Sequence, residues 1–185
     1  MKKNLRFLLL LSFILTNNAC KKDVSNGKAD LKSKESTEQV KTPASEGASK
    51  GDEATEAVTR IVMDTTMGAI ELDLNAEKAP LTVANFLRYV DSKHFDNTVF
   101  HRVIDDFMIQ GGGFSATGEE KETLASIKNE SSNGLSNSRG TIAMARTNHP
   151  DSATAQFFIN VGDNTNLDGS NGRPGYAVFG KVVSG

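Results

Sequence analysis

The apolar positions of the chain come in three textures. Residues 7–15 form a nine-residue apolar run broken only by Ser12, with Lys2, Lys3 and Arg6 just ahead of it or at its edge. Over residues 21–57 the only sizeable apolar side chains are Val24, Leu31 and Val40, set among Lys, Glu, Asp, Ser, Thr, Ala and Gly. From Val58 onward short apolar runs alternate with clusters of Asn, Gly, Asp and Ser. This third texture predicts strands. Runs at 61–65 and 69–74 flank Thr66-Met67-Gly68, a hairpin signature, and the second alternates apolar and charged residues as a half-buried strand does. Pro80 opens a helix near 80–92, with Val83, Phe86, Leu87 and Val90 at helical spacing. Further strand-like runs follow at 98–104, 107–110, 141–145, 156–161 and 176–183. Many short strands and one helix predict a mainly β domain over 58–185, an antiparallel barrel whose closure removes reactive sheet edges.

The other two textures read as appendages. A nine-residue apolar run is too short for a bilayer core, which needs about 20 residues, but it suits a secretory leader. Thr16-Asn17-Asn18-Ala19-Cys20 then turns small and polar, and the chain's single cysteine stands where such a leader is cut. The segment resembles a bacterial lipoprotein signal, with Ala19 in place and Asn17 where a Leu is usual. That resemblance implies a leader over 1–20 and lipidation of Cys20. It also implies an exported protein anchored to a bacterial cell-envelope membrane without spanning it. An ordinary cleaved leader with an incidental thiol is the alternative. Residues 21–57, with seven lysines, eight acids and no aromatic residue, bury too little to offset the cost of ordering. They read as a disordered polar tether.

Composition removes several classes of function. The 185 residues are 37% apolar and carry 21 basic against 23 acidic side chains. Residues 58–185 hold 11 basic and 15 acidic ones, so there is no field for gripping nucleic acid. One cysteine excludes an internal disulfide framework, and His94, His101 and His149 lack paired ligand spacing, so no metal site is expected. Residues 175–181 nearly spell a phosphate loop, but Val182 has no hydroxyl and Tyr-Ala-Val-Phe reads as strand. Gly111-Gly112-Gly113 lacks the spacing of a dinucleotide site, and no serine sits in a nucleophile elbow. Catalysis here would proceed without metal, cofactor or covalent nucleophile.

Phe100-His101-Arg102-Val103-Ile104 followed by Phe107-Met108-Ile109-Gln110-Gly111-Gly112 resembles the signature of cyclophilin-type peptidyl-prolyl isomerases. The likeness continues through Gly140-Thr141-Ile142-Ala143-Met144-Ala145, Ser152-Ala153-Thr154-Ala155-Gln156-Phe157-Phe158-Ile159, Leu167-Asp168-Gly169 and Val178-Phe179-Gly180-Lys181-Val182. It covers residues 60–185 and is nearest the short bacterial branch. The resemblance implies the family's eight-stranded barrel, an isomerase acting on proline-containing polypeptides, no cofactor, and a monomer. Carried over position by position, Arg102 is the catalytic arginine, and Phe107, Met108, Phe158 and Leu167 form the proline pocket. Gln110 holds the substrate backbone, and Ala145 pairs its main chain with the peptide. Tyr176 stands where eukaryotic members have a histidine. Asn166 replaces their tryptophan, which implies weaker cyclosporin-type ligands. Family members continue past Val182-Val183-Ser184-Gly185 with a second helix and a final strand. By that comparison the chain is expected to be a fragment, the alternative being a barrel that lacks its seam and exposes a strand edge and an uncovered apolar end.

Taken singly the same residues read more blandly: Phe107, Met108 and Phe158 as core, Arg102 as an ion-pair residue, Gln110 as the satisfied end of a strand. Taken together they fit one reaction. The cis and trans forms of an X–Pro bond differ by about 1 kcal/mol but are separated by about 18–20 kcal/mol. Twisting the bond gives the prolyl nitrogen a lone pair, and a permanently charged guanidinium is a suitable donor to it. A non-catalytic peptide-binding or chaperone module on the same groove, and a purely structural surface lipoprotein, are the competing readings.

Overall fold

The computed structural model describes residues 59–170 and 172–185, together with the backbone course of residues 3–8. Cys20 and the segment read as a tether lie outside the described residues. Among the described residues nine strands form one sheet: β1 (Lys3–Leu8), β2 (Thr59–Thr65), β3 (Gly68–Leu74), β4 (Thr98–Val99), β5 (Arg102–Ile104), β6 (Met108–Gly111), β7 (Thr141–Met144), β8 (Phe157–Asn160) and β9 (Val178–Ser184). Their order across the sheet is β4-β1-β2-β3-β9-β7-β8-β6-β5. Every pairing is antiparallel except the two made by β1, which are parallel. The outermost strands, β4 and β5, are joined only by Phe100 and His101, about 11 Å of chain at most. The sheet must therefore curl until its two edges approach each other.

The mainly β character and the single helix among the described residues agree with the periodicity; a curled, largely antiparallel sheet stands where a closed barrel was expected, and the elements differ in three particulars. The run at 98–104 is two strands on opposite edges rather than one. Phe100 leaves the ladder to bury itself in the core, and the chain crosses from edge to edge there. The run at 176–183 enters the sheet only at Val178. Residues 3–8, within the segment read as a leader, pair between β2 and β4. This stretch, Lys3-Asn4-Leu5-Arg6-Phe7-Leu8, satisfies backbone groups that those two strands would otherwise present unpaired. The near-phosphate-loop at 175–181 is largely strand β9.

Helix α1 (Pro80–Asp91) carries its apolar stripe inward: Val83, Phe86, Tyr89 and Val90 are buried. Phe86 is the hub, its ring 5.0 Å from Phe95, 5.6 Å from Phe157 and 5.2 Å from Phe179. Ile61, Met63, Leu72 and Leu74 from the first hairpin complete this main core. Ala79 cannot cap the helix with its side chain. Glu130 does so from a loop 48 residues on, accepting the Leu81 N–H at 3.1 Å, the Thr82 N–H at 2.8 Å and the Thr82 hydroxyl at 2.7 Å. A carboxylate at the amino end satisfies otherwise orphaned donors and complements the helix dipole. Glu130→Ala is expected to cost about 1–2 kcal/mol of stability, with Glu130→Gln recovering part of it. Thermal unfolding followed by circular dichroism measures this, and an unchanged midpoint for Glu130→Ala would refute it.

Candidate active site

Strand register builds the site. Ala143 on β7 lies opposite Phe158 on β8, Phe158 lies opposite Gln110 on β6, and Gln110 lies opposite Arg102 on β5. Directly opposed residues share a face, so four strands deliver one row of side chains to one side of the sheet. Met108, Asn160, Ala145 and Gln156 fall two positions along and join that face, the last two just beyond the strand ends. There the Ala145 N–H donates to the Gln156 carbonyl at 2.9 Å and continues the ladder. The intervening Ile109, Ile142, Met144, Phe157 and Ile159 point the other way, into the main core.

Alternation thus divides the buried residues into two clusters. The second holds Met108, Ala143, Phe158 and Val178, with Phe107, Leu135, Ala145, Leu167 and Tyr176 packed against it. Phe107, Met108, Ala145, Phe158, Leu167 and Tyr176, all predicted from sequence as site residues, meet in this satellite and not in the main core. Met108 and Phe158 form its floor at 2% and 4% exposure. The rims of Phe107, Ala145, Leu167 and Tyr176 stay half-buried. The Tyr176 ring meets Phe158 edge-on, centroids 5.6 Å apart. Asn166 is exposed beside Leu167 on a 3-10 turn (Thr165–Leu167) that the sequence pattern did not indicate.

A polar flank runs along the same row. Arg102 is exposed, and its Nη1 donates to Gln110 Oε1 at 3.4 Å. Gln110 Nε2 in turn donates to Gln156 Oε1 at 2.9 Å. Gln156 was not among the predicted residues, although its two-residue step from Phe158 is the signal that could have found it. Gly113 makes room for it: a Cβ there would stand 2.6 Å from Gln156 Cγ.

Beneath the rim lies a chain of buried amides, also missed. Asn164 Nδ2 donates to the Phe107 carbonyl and to Asn160 Oδ1, both at 2.8 Å. Asn160 donates to Asn137 Oδ1 at 3.2 Å, and Asn137 donates to Asp168 Oδ1 at 2.8 Å and the Tyr176 carbonyl at 3.2 Å. The loops carrying Phe107, Leu167 and Tyr176 are thereby tied to one network. Asp168 also accepts the Ser136 hydroxyl and the Asn137 N–H. Burial alone would raise its carboxyl, but the hydrogen bonds from Ser136 and Asn137 together outweigh burial and hold it below the ordinary range.

The three histidines serve the scaffold. A ring nitrogen of His94 hydrogen-bonds the Gly112 carbonyl, His101 sets its ring edge-on to Phe114, and His149 Nδ1 accepts the Asp151 N–H. A polar cavity of about 610 Å³ opens to one side, lined by Asn129, Ser131, Leu135, Pro150, Asp168 and Arg173 among others. It contains none of the predicted site residues.

The comparisons with known proteins point to one family. The family of cyclophilin type peptidyl-prolyl cis-trans isomerases matches residues 60–185. The chain belongs to that family, and its activity is peptidyl-prolyl cis-trans isomerisation. It is 57% identical over 129 residues to a peptidyl-prolyl cis-trans isomerase of Acinetobacter baylyi, covering 70% of this chain and 69% of the relative. It is 52% identical over 128 residues to peptidyl-prolyl cis-trans isomerase B of Escherichia coli, covering 68% and 78%. A Cryptosporidium parvum cyclophilin solved in the presence of the dipeptide Ala-Pro superposes with a TM-score of 0.54 at 28% identity, over 65% of this chain and 75% of that one. AquaCyp293 from Hirschia baltica shares the fold at a TM-score of 0.57 and 24% identity, over 66% and 63%.

The Asp168 hydrogen bonds carry a pH dependence. A carboxyl held below its unfolded value contributes stability that is full above about pH 4 and lost as pH falls through the folded value. Acid titration of stability should therefore be shallower in Asp168→Asn than in the parent below about pH 4. Parallel acid-unfolding curves would contradict this.

Proposed function

We propose that Arg102 performs the isomerisation by donating to the prolyl nitrogen of a twisted X–Pro amide in a polypeptide substrate. The observation that carries the proposal is the single cross-strand row Ala143–Phe158–Gln110–Arg102, which sets a permanently charged donor beside an apolar socket on one face. In this reading the proline ring sits against Phe107, Met108, Phe158 and Leu167, with Tyr176 at the rim. Gln110, itself held by Gln156, takes a substrate carbonyl, and the main chain of Ala145 pairs with the peptide. The planar ground states offer Arg102 no nitrogen lone pair, whereas the twisted amide does, so its contact strengthens where the barrier lies. An acceleration of about 10⁵-fold asks about 7 kcal/mol of such differential contacts. Arg102→Ala is expected to lower kcat/KM for an X–Pro peptide by about 10²-fold or more with folding unchanged, because the side chain is exposed. Exchange NMR on a short peptide measures it. Equal activity in parent and variant would overturn the mechanism. Peptide binding without acceleration in the parent would favour the non-catalytic module.

We propose further that Cys20 carries a lipid anchor and that residues 21–57 tether the domain to an envelope membrane. The positive, apolar and small-polar succession of residues 1–20 supports this, as does the position of the single cysteine. Cutting there would also take β1 away and leave the facing edges of β2 and β4 unpaired by this chain. In a bacterial host, labelled fatty acid should enter the protein and be absent from Cys20→Ser. Label retained in that variant would refute the anchor.

A further inference from the structure

Arg146 has no part in the chemistry above, yet its guanidinium is committed on several sides. It follows Ala145 directly and leaves the ladder end half-buried. Nε donates to the Gly175 carbonyl at 3.1 Å, Nη2 to the Pro174 carbonyl at 2.8 Å, and Nη1 to the Thr147 carbonyl at 2.9 Å. The guanidinium carbon stands 4.6 Å from the centroid of the Tyr176 ring. That ring meets Phe158 at 5.6 Å, so one aromatic side chain touches both the cation and the floor of the socket. The Tyr176 backbone is held separately, its N–H donating to the Leu167 carbonyl at 2.9 Å and its carbonyl accepting from Asn137 Nδ2 at 3.2 Å, so the clamp bears on the ring and on residues 174–175. Residues 172–174 are exposed, and Gly175 is fixed by Asn129 Nδ2 at 3.1 Å on its carbonyl and Ser131 Oγ at 2.9 Å on its N–H.

We propose that Arg146 is a positioning residue for the substrate socket: it clamps the 174–175 carbonyls and the Tyr176 ring together, and so sets where Tyr176 stands over the proline ring. The proposal rests on the socket reading given above. The planar fork of arginine suits this task, since it can grip two successive carbonyls while lying over a ring, and a lysine ammonium cannot do both. Holding Tyr176 pre-placed lowers the cost of ordering the rim when the peptide arrives, which is an effect on binding rather than on the twisting step.

The protein supplies a clean reporter, because it has two tyrosines and no tryptophan. Tyr89 is a buried internal standard whose hydroxyl accepts the Leu124 N–H at 2.8 Å. With ring-labelled tyrosine, Arg146→Ala should shift the Tyr176 signals and leave those of Tyr89 in place. The same variant should raise KM for an X–Pro peptide about fivefold with kcat changed less than about twofold, and Arg146→Lys should recover less than half of the loss. In a Tyr176→Ala background, Arg146→Ala should add nothing further. Unmoved Tyr176 signals, an unchanged KM, or a full extra loss in the Tyr176→Ala background would each overturn the proposal. If Tyr89 moves as well, the fold has been disturbed, and Arg146→Lys and Arg146→Gln are read against the same criteria. A parent protein that neither isomerises nor binds the peptide would sink the socket reading itself, a failure separate from that of the clamp seen by Tyr176.

Discussion

In an antiparallel ladder opposed side chains share a face, and a slip of one residue exchanges the two faces completely. The β7-β8-β6-β5 ladder uses this to build two apolar bodies from the same few strands. Ile109, Ile142, Met144, Phe157 and Ile159 go to the main core around Phe86, while Met108, Ala143, Phe158 and Gln110 go to the working face. The main core therefore fixes the site. Phe157, clasped by Phe86, Phe95 and Phe100, determines which way its neighbour Phe158 must point. A shifted register would put Gln110 into the core unpaired, at a cost of several kcal/mol. That makes the productive arrangement the only one of the two that can be buried.

The rim of the socket cannot be held in the same way, because Phe107, Leu167 and Tyr176 lie outside the ladder. The run from Asn164 through Asn160 and Asn137 to Asp168 replaces the sheet there. Its amides are buried at 6%, 1% and 0% exposure, and each donates to a neighbour or to a loop carbonyl. Breaking one link leaves buried partners unsatisfied, which costs about 1–3 kcal/mol, so the loops move together or not at all. On the outer side the Arg146 guanidinium performs the corresponding service for residues 174–176.

Much of this arrangement was legible in the sequence, and the division between what was and was not has a physical reason. The first hairpin and α1 announce themselves through local periodicity, whereas the residues that gather in the satellite cluster were picked out only by the resemblance to a family. Glu130 as a helix cap and the three asparagines were not visible, because a polar side chain's worth depends on a partner far along the chain. Glu130 reaches back 48 residues to Thr82, and Asn164 reaches 57 to Phe107. The break within 98–104 was hidden because Phe100 is as strand-like when it dives into the core as when it stays in the ladder. Likewise residues 3–8 gave no strand signal, since Lys3, Asn4 and Arg6 interrupt the apolar positions, yet β1 pairs between β2 and β4.

Arg102, the group we propose for the chemistry, sits on an edge strand whose three residues are all exposed, an unusual place for such a role. The reaction explains why this is tolerable. Rotation about an amide forms no reactive intermediate that water could intercept, and no proton needs to be retained, so exclusion of solvent is not required. What is required is a donor whose charge never lapses and whose direction is fixed relative to the proline ring. Direction comes from Gln110, held by Gln156, which lies against Gly113 with no space for a larger residue. The 3.4 Å contact from Arg102 to Gln110 is a weak bond by length, so in the proposed mechanism Gln110 guides the guanidinium without locking it. The rigid half of the site is thus apolar and buried, and the half that must follow the moving amide is polar, exposed and lightly restrained.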